Sequence, residues 1–125
     1  MARTSGGVSL ALAQVATTGD GGYALVDGTG TILSWTVPND GNLHTALVAG
    51  TLIVTSAGTG GAIGTETTDT VLGNQTYPAA MYSSAASSGI NQHAFCVGPG
   101  ATVTVYQSSA LTAGAAKVFV TIFGY

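Results

Sequence analysis

Catalysis and metal binding need activated nucleophiles, bases or clustered ligands, and this chain offers few of any kind. Apart from its carboxylates and two cations, the candidates are two histidines, His44 and His93, and one cysteine, Cys96. His93 and Cys96 form the one Cys–His neighbourhood. Three residues apart on a strand, they point to opposite faces, so without a bulge they cannot pair as base and nucleophile. Cys96 stands between Phe95 and Val97, and cysteine is among the most buried residue types. The expectation is a buried thiol beside a histidine at the surface or at an interface. No Gly-x-Ser-x-Gly elbow precedes a helical pattern. Zinc asks for several closely spaced Cys or His ligands, and calcium for clustered carboxylates. Asp20-Gly-Gly and Asp27-Gly-Thr-Gly are the nearest approach to such a cluster, and they read more plainly as two Asp-Gly turns. Gly58-Thr-Gly-Gly-Ala-Ile-Gly64 has the glycine content of a phosphate loop. It lacks the Gly-Lys-Ser/Thr ending, a following helix and a nearby base, so it reads as a turn. The expectation is no enzyme: no catalytic residues, no metal and no cofactor.

Charge is as scarce as chemistry. Two basic and five acidic residues make up 6% of the 125 positions, against roughly 25% in an ordinary soluble domain. Mean hydropathy is +0.44. Net charge is −3 with no basic patch, which leaves nucleic-acid binding without its electrostatic footprint. A single cysteine excludes an internal disulfide. The most apolar run, residues 46–54, contains Gly50 and Thr51 and is far short of the roughly 18 residues of a membrane span. Residues 8–16 imitate a short secretion signal, but Ser9 and Gln14 break them. We expect no membrane partner and a chain that folds in the cytoplasm where it is made. A free monomer keeps charge on its surface to stay apart from its neighbours. Here Gly, Thr, Ser and Ala take its place, so much of the surface is expected to face other protein.

The elements that position these groups read as strands. Nineteen glycines and the Asn-Asp-Gly, Asp-Gly and Pro-Gly pairs punctuate the chain at the spacing of an all-β sandwich or barrel. Residues 8–17 alternate, and so do residues 31–37, with Leu33, Trp35 and Val37 on one face. Residues 42–56 are the longest run. Leu43, Leu47 and Ile53 share one parity, and Val48, Leu52 and Val54 share the other. Gly50 at its centre predicts a bulge or a corner between sheets. Residues 62–70 predict an edge strand, and a strand around 77–82 is ambiguous. Residues 90–97 and 101–107 predict two more. Residues 108–114 predict a connector. In the last strand, 115–125, Val118, Val120 and Ile122 oppose Phe119, Phe123 and Tyr125. About eight strands make an antiparallel sandwich of the jelly-roll kind. The immunoglobulin alternative lacks its Cys…Trp…Cys signature. An aromatic last strand is also a mark of outer-membrane barrels, but too few runs reach their strand length. Trp35, Tyr23, Tyr77, Tyr82 and Tyr106 would serve a sugar-binding platform if exposed together, yet the parity of Trp35 puts it in the core. The domain plan is a flexible arm at 1–7 and a single sandwich at 8–125. A strand apolar on both faces is either central or at a subunit contact. Phe119, Phe123 and Tyr125 are therefore the expected homo-oligomer interface.

Two stretches resemble a known family. They are Ile32-Leu-Ser-Trp-Thr-Val-Pro-Asn-Asp-Gly-Asn-Leu-His44, continued by residues 47–61, and Val97-Gly-Pro-Gly-Ala-Thr-Val-Thr-Val-Tyr-Gln-Ser-Ser-Ala-Leu-Thr-Ala-Gly-Ala-Ala116 with its final apolar strand. Both resemble head decoration, or minor capsid, proteins of tailed bacteriophages. The resemblance implies a structural virion protein: a β-sandwich homotrimer on the capsid exterior, bound to the major capsid protein lattice and stabilising it. Related phage sandwiches also form fibre tips, so an adhesion module that binds a receptor or carbohydrate is the alternative. On the capsid reading Arg3, Thr4 and Ser5 in the arm are the expected capsid-docking residues.

Overall fold

Thr and Val dominate the alternating segments, and β-branched side chains fit a pleated, half-buried surface better than a helix. The computed structural model describes residues 12–68 and 80–125, with no helix among them. Its strands are β1 (Ala13–Thr17), β2 (Tyr23–Ala24), β3 (Gly30–Thr36), β4 (His44–Gly60), β5 (Ile63–Thr68), β6 (Gly89–Val97), β7 (Thr102–Gln107) and β8 (Leu111–Gly124). They form two antiparallel sheets. The larger has the order β1-β8-β4-β6, with β2 also paired to β8; the smaller has the order β3-β7-β5. From β2 onward every connection crosses from one sheet to the other, which is the winding of a jelly roll. The expected fold class holds. The arm at 1–7 lies outside the described residues.

The core lies between the sheets. β4 contributes Val48 and Leu52, β8 contributes Val118, Val120 and Ile122, and β7 contributes Val103 and Val105, all at 1% exposure or less. Each such side chain stabilises the fold by roughly 1.5–3 kcal/mol relative to exposure. Trp35 packs against this core from β3, as its parity predicts. Its ring stands over Gly124 of the opposite sheet, where a Cβ would come within 2.4 Å of it. Two polar side chains are fully enclosed, Thr65 and Gln107. Gln107 donates to the carbonyls of Val26 (2.7 Å) and Ser109 (3.0 Å) and accepts from the Val26 N–H (3.1 Å). Its amide thus stands in for a strand partner and pins the β2–β3 connection to the end of β7.

Two expectations need correction. Gly50 is not a bulge: the register runs unbroken through Gly50↔Asn91 and Gly50↔Val120, and β4 stays in one sheet. The missing side chain makes room instead. A Cβ there would lie 3.0 Å from Met81 Cε and 3.3 Å from the Tyr82 hydroxyl, and Ile63 holds those two residues through main-chain hydrogen bonds. The irregularities fall later, between Val54 and Gly60. β8 also begins at Leu111, inside the expected connector, because the bulged end of β4 offers it partners at Ser56, Thr59 and Gly60. Of the ambiguous strand near 77–82, residues 77–79 lie outside the described residues. Tyr82 alone of its named residues shows a bridge, to Ile63.

Gly124→Ala should destabilise the fold by about 1–3 kcal/mol through overpacking against Trp35. Denaturant melts of the single variants and of Gly124→Ala with Trp35→Leu check this. The two changes should couple, with the second relieving part of the first.

Candidate functional site

The inward parity of β4 and β8 fixes what the larger sheet presents outward. Three rows cross it in register. Gln14, Phe123, Leu47 and Ala94 make one; Thr17, Thr121, Ala49 and Gln92 the next; Phe119, Thr51 and Ile90 the third. Beyond the first row, Tyr125 pairs with Thr45 through main-chain hydrogen bonds of 3.0 and 3.1 Å. No charged residue stands in any row. Lys117 sits one position past Phe119, opposite Ile53, and Asp20 lies in the β1–β2 turn. The small side chains Ala49, Thr51 and Thr121 lie between the phenylalanines. They leave a shallow basin of about 560 Å³ whose lining includes Phe119, Phe123, Ile90 and Gln14.

The expected interface residues therefore share one face. Phe119 and Phe123 are half-buried and Tyr125, just past the end of β8, is exposed; they share one parity, with Phe123 about 13 Å along the chain from Phe119 and about 7 Å from Tyr125. Gly22, at φ +67°, brings the β1–β2 turn against the Phe119 ring: a Cβ there would lie 2.7 Å from it. The structure adds Leu47 and Ile53, whose shared parity with Leu43 was visible in the sequence. It also adds Ile90, 85% exposed at the margin of the basin. No local pattern marks Ile90, since its same-face neighbours are Gln92 and Ala94. Arg3, Thr4 and Ser5 lie outside the described residues.

The remaining chemical candidates disperse. Pairing of His93 with Val48 turns the imidazole inward, and pairing of Cys96 with Thr45 turns the thiol outward. They do point to opposite faces, but the expected burial is reversed. Cys96 is exposed, while His93 is half-buried and its Nδ1 has no hydrogen-bond partner among the described residues. Burial pushes the His93 pKa down. The reversed burial follows from Val97, which is fully buried and so sets the parity of β6 against its neighbour Cys96. Among the described residues no group of three or more His, Cys, Asp or Glu could hold a metal ion. Gly60 and Gly61, both at positive φ, carry the chain from β4 into β5, as the turn reading expects. The aromatic platform does not assemble among the described residues. Tyr23 and Trp35 pack against the core, Tyr82 is buried, and Tyr106 is half-exposed on the smaller sheet. Tyr77 lies outside them. No helix among the described residues is long and apolar enough to cross a membrane.

The chain matches no protein-family model and no curated protein. Among solved structures it is similar to the globular domain of zebrafish complement 1qA protein. The two share 13% identity and a TM-score of 0.40 over 78% of this chain and 67% of that one.

Cys96→Ser should change the unfolding free energy by no more than about 0.5 kcal/mol, as substitutions at exposed positions do. A chemical melt of the two proteins tests the outward placement, and a loss above about 2 kcal/mol contradicts it.

Proposed function

We propose that the protein is a structural virion component that assembles with copies of itself through the outer face of the larger sheet. The assembly is a homotrimer that decorates a bacteriophage capsid from outside and stabilises it by binding the major capsid protein lattice. The protein is made in the host cytoplasm and acts without catalysis or cofactor. One observation carries the self-association: a sheet face four strands wide with Phe119, Phe123, Leu47 and Ile90 outward and no charge within its rows. Depletion of charge with aromatic enrichment marks the core of a protein contact, and symmetry repeats each such contact in every subunit. The capsid as partner rests on the resemblance of residues 32–61 and 97–116 to decoration proteins. Arg3, one of the two basic residues of the chain, together with Thr4 and Ser5, is the proposed docking element.

Light scattering should give the mass of an oligomer at micromolar concentration; a stable monomer refutes the assembly. Phe123→Ala should loosen the oligomer more than it unfolds the protomer, losing roughly 1.5–3 kcal/mol per buried ring. Ile122→Ala, at 0% exposure, should chiefly destabilise the fold, by about 2–5 kcal/mol. Oligomer mass and thermal melts of both variants distinguish the two faces.

Deleting residues 2–7 should leave the oligomer intact and lower its occupancy on purified capsids. Equal occupancy by the shortened and full chains removes the docking role of Arg3, Thr4 and Ser5, without touching self-association.

A further inference from the structure

His44 opens β4 and is buried, at 6% exposure. Both ring nitrogens are engaged. Nδ1 lies 2.6 Å from the main-chain oxygen of Tyr125, and Nε2 lies 2.8 Å from Asp40 Oδ1. A main-chain oxygen carries no hydrogen, and neither does an ionised carboxylate, so both contacts are hydrogen bonds only if the ring donates from both nitrogens. A neutral imidazole has one N–H. Its other nitrogen would present a lone pair to an oxygen closer than 3 Å, and that contact must open.

The three partners come from different parts of the fold. Asp40 belongs to the connection that crosses from β3 to β4, and Tyr125 follows β8. Asp40 Oδ1 also accepts the Asn42 N–H at 3.0 Å, which closes the loop on itself. The Asn39 side chain of that loop lies against Gly100, where a Cβ would be 3.6 Å away. We propose that Asp40, His44 and the main chain of Tyr125 form a proton-operated latch that ties the β3–β4 loop to the end of the last strand. The side chain of Asp40 is 45% exposed and can swing into water. The Tyr125 oxygen is also held by the Thr45 N–H at 3.1 Å. Deprotonation of the ring therefore releases the loop and leaves the strand end in place.

The titratable groups around the ring are few. The loop supplies Asp40, and the end of β8 supplies the Tyr125 ring, with its centroid 6.1 Å from that of His44, and, at the last of the 125 residues, the main-chain carboxyl of Tyr125, whose oxygen faces Nδ1. β6 places Val97 opposite. Its own titratable groups face elsewhere: Cys96 is on the outer surface, and His93 lies opposite Val48. The hydrogen bonds from His44 and from the Asn42 N–H hold the Asp40 carboxyl below the usual carboxylate range. The sign follows in both directions. The latch is closed while His44 carries two ring protons and Asp40 none. It opens toward acid when Asp40 is protonated, and toward alkali when the ring gives up a proton. It is a property of the single chain and stands whether or not the outer sheet face meets a second copy.

Amide hydrogen exchange and ring-nitrogen NMR on the full chain test it. At about pH 5 both ring nitrogens of His44 should carry hydrogen. Between about pH 5 and pH 8 the Asn42 amide should lose at least about tenfold in protection, after correction for intrinsic exchange. The amides of β7 should keep theirs. Asp40→Asn, a change on an exposed loop that leaves the core untouched, should remove the pH dependence at Asn42, and His44→Gln should do the same. Identical pH profiles in the wild type and Asp40→Asn, or one ring hydrogen at about pH 5, overturn the latch.

Discussion

The pairing of β4 with β8 is the constraint on which the rest of the molecule depends. These are the longest strands, at 17 and 14 residues, and their ladder runs from Ala46↔Gly124 to Gly60↔Leu111. β1 and β2 attach to the free edge of β8, and β6 attaches to the free edge of β4. A slip of one residue in this register would carry Val118, Val120 and Ile122 to the outside and Phe119 and Phe123 into the core. That would move bulky rings into space now shaped for Val and Ile, and the tight packing of a core does not accept such an exchange. One ladder thus fixes the core, the outer rows and the position of Tyr125 beside His44.

Strand parity carried most of the legible information, and it worked best where one face is plainly apolar. Val118-x-Val120-x-Ile122 could be assigned inward from the sequence because it had to fill a sandwich, which sent the aromatics outward. The same logic failed at β6. There Asn91, His93, Gln92 and Ala94 give no clear apolar face, and the identity of Cys96 alone was too weak a guide against the burial of Val97. Gly50 was misread for a related reason. A glycine inside a strand signals either a break in the ladder or a close approach, and only the position of Met81 and Tyr82 decides between them. Ile90 shows the limit of local reading. It lies on the outer face because of its register with Thr51, a relation that no window of neighbouring residues contains.

The latch at His44 and the enclosed amide of Gln107 solve one problem in two ways. A jelly roll must turn its chain from sheet to sheet, and the turning segments leave main-chain groups without ladder partners. At the β2–β3 connection a neutral amide, a donor and acceptor at once, supplies them permanently. At the β3–β4 connection the tie runs through a titratable ring and an exposed carboxylate, so its strength depends on the solution. The two connections therefore differ in how they answer to pH, although both are anchored from the end of a strand.

The placement of β8 has a consequence for how the chain is made. β1, β2 and β4 all precede β8 on the chain, yet β8 is the strand to which each is bonded. As the polypeptide emerges from the ribosome, the larger sheet has a gap at its centre. The edges of β1 and β4 that β8 will fill stay unpaired until residues 111–124 are free to insert. The larger sheet cannot close early, and most contacts join distant parts of the chain, the arrangement that folds slowly. Newborn chains therefore pass through a period with bare strand edges and an open core, when crowding with other copies is a hazard. Synthesis of such a protein in large numbers would favour slow initiation or chaperone cover over speed.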